Sequence, residues 1–199
     1  MNSDTTIRRL ALLGALLAVY GELHPLADQW AQAGRDAYGK RLHGSHPVHR
    51  DGTPCTPDNP ALPGERTLHA SAHGRRCAAR HVLAYSAVQA AGTIAVTRAC
   101  GYRLTAGPLL VGTAVNGLTH ALIDRGPVLA ALARRFGKSS YIEGCAAVRL
   151  DENGVVTTSL YGPGTAWHEL DQALHRAIAV AAAATTAWLA VRRGNRSGQ

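Results

Sequence analysis

Histidine and aspartate recur four residues apart at the edges of long apolar stretches: His24-x3-Asp28-x3-Gln32, His81-x3-Tyr85, His120-x3-Asp124, and Asp171-Gln172 followed by His175. A four-residue step stacks two side chains on one face of an α-helix, so each cluster commits its stretch to a helix and presents its polar groups together. Ala, Leu and Val dominate the stretches, and aromatic residues make up only 5% of the chain, a bias toward closely packed helices over a β-sandwich. The expected class is all-α. The chain of 199 residues has no sign of a second core, so one domain over 1–199 is expected.

Length and apolar content place helices at about 7–32, 81–99, 105–124 and 170–191. The run Leu10 to Gly21 follows Arg8 and Arg9 and has no small-residue cleavage site behind it, which reads as a retained first helix. A bilayer core asks for about 20 mostly apolar residues, a length the first and third stretches reach by including polar residues at one end. Arg8, Arg9, Arg80, Arg98, Arg103, Arg125, Arg192 and Arg193 bracket the runs without an aromatic platform. The formal charge of +8 therefore reads as juxtamembrane anchoring; the expected partner is a lipid membrane, with no nucleic acid.

Between the first two helices, 44–80 is rich in Pro, Gly and His and reads as a long polar loop; His46, His49, His69 and His73 in it, and His43 just before it, read as solvated, with a weak accessory metal site as the alternative. Pro25 disfavours helical geometry at His24 and predicts a break in the first helix. A short amphipathic helix is expected over Pro127 to Phe136, and one β-hairpin at about 146–160 around Asn153-Gly154. Gly162-Pro163-Gly164-Thr165 lacks the lysine of a phosphate loop and reads as a turn into the fourth helix. His168, three residues before Asp171, reads either as a further site residue or as an exposed first-turn histidine. Cys55, Cys77, Cys100 and Cys145 form no CxxC pair and read as free thiols.

The clusters fall at the end of the first helix, the start of the second, the end of the third and the start of the fourth. In an up-down-up-down bundle these ends share one level, so the expected architecture is a four-helix membrane bundle with its polar groups converging. Ionisable groups in such a place are costly unless they pair or bind an ion. The expected metal ligands are His24, Asp28, His81, His120, Asp124, Asp171 and His175, with Gln32, Tyr85 and Gln172 orienting them from behind. Imidazole with carboxylate suits zinc, manganese or iron. Two functions fit: a metal-dependent hydrolase acting near the membrane surface, or a non-enzymatic protein whose cluster is structural or conducts ions or protons. A basic nucleic-acid binder would rest on charge alone.

The ordered series resembles the small bacterial and phage membrane proteins of domain-of-unknown-function family 3307. The residues that carry the resemblance are His24, Asp28 and Gln32; His81 and Tyr85; Thr119, His120, Asp124 and Arg125; then Gly162, Gly164, Thr165, Leu170, Asp171, Gln172 and His175. Pro25 and the extended loop depart from the pattern. The resemblance implies a multi-helix membrane protein, expected in a cytoplasmic (inner) membrane, and implies no particular activity.

Overall fold

The computed structural model describes residues 3–151 and 153–194, so both ends of the expected 1–199 domain lie outside the described residues. The chain is mostly helical, with two small antiparallel hairpins. In order, the elements are α1 (Ser3–Glu22), a π-helical turn (Leu26–Trp30), α2 (Gly34–Gly39), β1 (Pro47–Val48), β2 (Leu68–His69), α3 (Ala70–Ala99), α4 (Ala106–Asp124), α5 (Pro127–Arg135), α6 (Ser139–Gly144), β3 (Ala147–Leu150), β4 (Val156–Ser159) and α7 (Ala166–Gly194).

Local chemistry accounts for the boundaries. Gly101, at φ +74, ends α3 in a left-handed residue, and the amide of Tyr102 closes back on the carbonyl of Thr97 at 2.8 Å, a Schellman stop. Gly126, at φ +92, ends α4, and Pro127 opens α5 where its missing N–H costs nothing. Thr165 caps α7 by accepting from the amide of His168 at 3.2 Å. Asp151 Oδ1 accepts from the amides of Asn153 and Val155, both at 2.9 Å, and so shapes the turn between β3 and β4.

Several expectations need correction. α1 ends at Glu22, close to the break expected at Pro25, but His24 and Pro25 keep helical geometry: the backbone bonds run on, from Leu23 to Val19 and Ala27 to Leu23, and widen into the π turn, where Ala31 closes on Leu26 at 3.0 Å. The missing Pro25 donor falls at the seam between α1, which ends at Glu22, and the π turn, which begins at Leu26. The second helix begins at Ala70 rather than His81, because the strand pair β1–β2 delivers the chain straight into it. The expected loop over 44–80 therefore ends with β2, and His73, expected in solvent, is a buried residue of α3.

The four long helices touch in a closed ring: α1 with α3 and α7, and α4 with α3 and α7. The main apolar core lies between α1 and α7, where Leu12, Leu16, Val19 and Tyr20 meet Ala179, Ala182, Ala183 and Ala187. Alanine lets these backbones approach closely. On α4, a Cβ at Gly112 would collide with Thr186 Oγ1, so that glycine is required by the helix beside it. A smaller cluster of Ile123, Leu129 and Trp167 seals the turn between α4 and α5 against the start of α7.

Burial on α3 is inverted. Its inward stripe is His81, Tyr85, Gln89, Thr93 and Thr97, all polar, while Leu83, Ala87, Ala91 and Val96 face outward. α4 likewise exposes Leu110, Leu118 and Leu122, with Leu118 68% accessible. A water-soluble helix shows the opposite pattern, so these faces ask for an apolar surround. α1 with its π turn, α4 and α7 are long and apolar enough to cross a membrane, which points to membrane association; the expected span over 81–99 is not among them, since it carries His81, Tyr85, Gln89, Thr93, Thr97 and Arg98 along its length.

Candidate metal centre

The π turn, α3, α4 and α7 bring the clusters to the boundary between the apolar helices and a polar cap built from α2, the β1–β2 hairpin and the first turns of α3. At its centre are four atoms on three segments: Asp28 Oδ1, His81 Nε2, His120 Nε2 and Asp124 Oδ2. His81 Nε2 stands 2.9 Å from His120 Nε2, 3.0 Å from Asp28 Oδ1 and 3.1 Å from Asp124 Oδ2. His120 Nε2 stands 3.5 Å from Asp28 Oδ1 and 3.2 Å from Asp124 Oδ2. Four ligands around one ion at ~2.05 Å, tetrahedrally placed, stand ~3.3 Å from one another. Five of the quartet's six pairs, at 2.9 to 3.5 Å, have that spacing, and the sixth lies within 4.8 Å.

Hydrogen bonding alone accounts for it poorly. Two imidazole nitrogens 2.9 Å apart can share only one proton between them, yet each also faces two carboxylate oxygens. A cation at the centre satisfies all four atoms together. All four residues are buried, and the side chains of His81 and His120 are wholly inaccessible. Buried carboxylates without a compensating charge are expensive, so the geometry requires positive charge nearby.

One such charge comes from Lys40, which closes α2. Its Nζ donates to Asp124 Oδ2 at 3.0 Å and lies 3.8 Å from Asp28 Oδ1. Arg125 Nη1 holds the Lys40 carbonyl at 2.9 Å. With its amide oxygen toward Lys40, Gln32 accepts from Nζ at 3.2 Å and donates to the Asp28 carbonyl at 3.0 Å. Sequence reasoning missed Lys40, since a lysine in a polar stretch carries no mark of burial. It also missed Asp36, and it read Arg80 as a flanking anchor of a membrane span; the two join α2 to α3, Arg80 Nε donating to the two Asp36 oxygens at 3.0 and 3.2 Å. Burial alone would raise the Asp36 carboxyl, but the bonds and charge of Arg80 outweigh it and hold it below the usual range.

The remaining expected residues surround the quartet. His24 Nδ1 shares a hydrogen bond with the Tyr85 hydroxyl at 3.1 Å, and Asn116 and Gln89 also reach that hydroxyl. His175 stacks on His120 with ring centroids 4.1 Å apart, and Asp171 Oδ2 lies 3.5 Å from His175 Nδ1. Gln172 Nε2 reaches Asp28 Oδ2 at 3.5 Å. All seven expected ligands thus lie in one region, although His81 is well inside α3 rather than at its start. His168 takes no part in the cluster, and His46 is exposed in the cap. No family model, curated protein or solved structure matches this chain.

Proposed function

We propose that this chain is an integral membrane protein whose four long helices form an up-down bundle around a divalent-metal centre, with Asp28, His81, His120 and Asp124 as the ligands of its principal ion. The single observation that carries this reading is the mutual spacing of their four atoms, 2.9 to 3.5 Å for the five pairs given above. The mixed nitrogen and oxygen set suits zinc, manganese or iron. A set of four protein ligands closes a tetrahedral site, so the ion's first role is to bind α3 and α4 to the π turn after α1. A cytoplasmic membrane and kinship with domain-of-unknown-function family 3307 belong to the same proposal, the kinship resting on the ordered motifs.

A second reading, hydrolysis of an ester, amide or phosphoester near the membrane surface, is favoured by the position of Asp28. A hydrolytic site keeps one coordination position open. The Asp28 side chain is 11% accessible where that of Asp124 is 2% and those of His81 and His120 are 0%, so Asp28 is the ligand able to yield its place. His81, His120 and Asp124 would hold the ion, which would acidify a bound water; Asp28 would stand beside it as the base for that proton, with Lys40 near it to receive an anionic group.

Elemental analysis of the detergent-purified protein tests the centre. Wild type should carry stoichiometric metal, His120→Ala should lose most of it, and His46→Ala in the cap should keep it. Absence of metal from wild type, or equal behaviour of the two variants, would leave the cluster as a polar collar. Ester and phosphoester hydrolysis that survives chelation and His120→Ala would remove the hydrolytic reading while leaving the centre intact.

A further inference from the structure

The bundle end away from the metal centre carries arginine almost without counter-charge. No Asp or Glu stands between Arg80 and Asp124 in the chain, nor after Asp171, and Asp4 at the start of α1 pairs with Arg8 at 3.0 Å. There the connection from α3 to α4 borders a cavity of about 860 Å³, lined by Thr97, Arg98 and Arg103 and walled by Ile94, Leu104 and Leu109. Among the described residues no carboxylate lines it. Ligand cavities run to ~300–1,000 Å³, and two exposed guanidiniums beside an apolar wall are donors without an acceptor.

We propose that the cavity seats one anionic phospholipid, with Arg98 and Arg103 holding its phosphodiester and its acyl chains lying along Ile94, Leu104 and Leu109. A guanidinium forks onto two phosphate oxygens, which makes arginine the residue suited to this group. Ala106, which opens α4, also lines the cavity, so the positive end of a 19-residue helix dipole adds to the attraction. The apolar wall decides between a lipid and a free phosphate: an inorganic anion gains nothing from it, whereas an acyl chain buries against it.

The depth of the cavity agrees with a headgroup layer. At about 1.5 Å per residue, Thr97 lies roughly 24 Å along α3 from His81. The hydrocarbon core is ~30 Å thick, so with the metal centre at the boundary of the polar cap, the cavity falls near the opposite headgroups. Leu110, next to Leu109 on α4, is exposed and carries the apolar wall toward the outer face of the bundle. Basic pockets between membrane helices take lipid headgroups in this manner.

This inference rests on the integral-membrane reading above, and lipid titration separates the two. Delipidated protein in detergent is titrated with dioleoylphosphatidylglycerol, dioleoylphosphatidylcholine or inorganic phosphate. Native mass spectrometry counts the lipid bound per chain, and thermal melts follow stability. Wild type should retain one phosphatidylglycerol per chain and melt higher with it, while phosphatidylcholine and phosphate give neither effect. Arg98→Gln combined with Arg103→Gln should weaken binding about 30-fold, roughly fivefold for each arginine at a membrane surface. Arg134→Gln combined with Arg135→Gln on α5 should leave it unchanged. Equal retention of the two lipids by wild type, phosphate that stabilises as well as phosphatidylglycerol, or equal losses in the two double variants would overturn the lipid site and leave the membrane reading standing. Recovery of the chain in a salt wash would overturn both. Should the first double variant fail to fold, the comparison of lipids on wild type still decides.

Discussion

Lys40 shows how a single residue can be invisible in the sequence and central in the fold. It is 7% accessible, and its ammonium sits between carboxylates that a metal would also claim. Removing one partner of a buried ion pair typically costs about 3–5 kcal/mol, because the other charge is left without compensation. A cation in the quartet supplies that compensation. Lys40→Met should therefore destabilise chelated protein by several kcal/mol and metal-loaded protein much less. Thermal melts with chelator and with zinc make the comparison, and equal losses in both conditions would show that Lys40 and the ion do not share the same carboxylates.

Among the elements, α4 and the cap invite different tests. Gly112 lets α4 lie against Thr186 of α7, and overpacking a tight contact costs about 1–3 kcal/mol. Gly112→Leu should lower the Tm accordingly, whereas Gly14→Leu on α1, where a Cβ meets nothing within 4 Å, should not. Similar losses from both would argue against a close α4–α7 approach. In the cap, His49 Nδ1 pairs with Glu65 at 2.9 Å; that bond and the Asn59 carbonyl raise the His49 pKa, while the same bond holds Glu65 below its usual range. A raised histidine contributes fully below its unfolded value of about 6.5 and loses its contribution as pH climbs through the folded value. The lowered glutamate contributes above about 4.5 and loses it as pH falls through the folded value. The cap should thus resist limited proteolysis best at about pH 5–6 and loosen toward pH 8.5, and the difference from His49→Gln should vanish at high pH. A constant difference between pH 5.5 and 8.5 would count against this pairing.

For the whole molecule, the outward Leu83, Leu118 and Leu122 and the inward polar stripe of α3 fit the membrane association to which the three long apolar helices point. The far end of the helices is basic: Arg8 lines one cleft with Thr97 and Tyr102, and Arg98 and Arg103 line its neighbour. Arg192 lies over the Trp188 ring at 4.8 Å near the end of α7, a pairing suited to a headgroup region. The protein should sediment with membranes and remain there through washes in high salt and alkali, needing detergent for release. Recovery in a salt wash would mean that the basic flanks alone hold it to the surface.

Side-chain chemistry at helical spacing determined much of this protein in advance. The four-residue steps from His24 to Asp28, His120 to Asp124 and Asp171 to His175 are local geometry, so they place each pair on one face whatever surrounds the helix. The turn at Asn153-Gly154, the helix from Pro127 and the entry at Thr165 were legible for the same reason, each being a contact among near neighbours. Everything that depended on distant partners was not. The early start of α3 follows from the pairing of β1 with β2, and the π turn that continues the helical path after Pro25 is not foreseen by a propensity for breaking. Tertiary packing alone buried Lys40 beside Asp124, 84 positions away, and set the two oxygens of Asp28 and Asp124 toward different histidines. Long-range electrostatic pairing depends on where helices meet, and a one-dimensional pattern carries the residues that meet but not the distances between them.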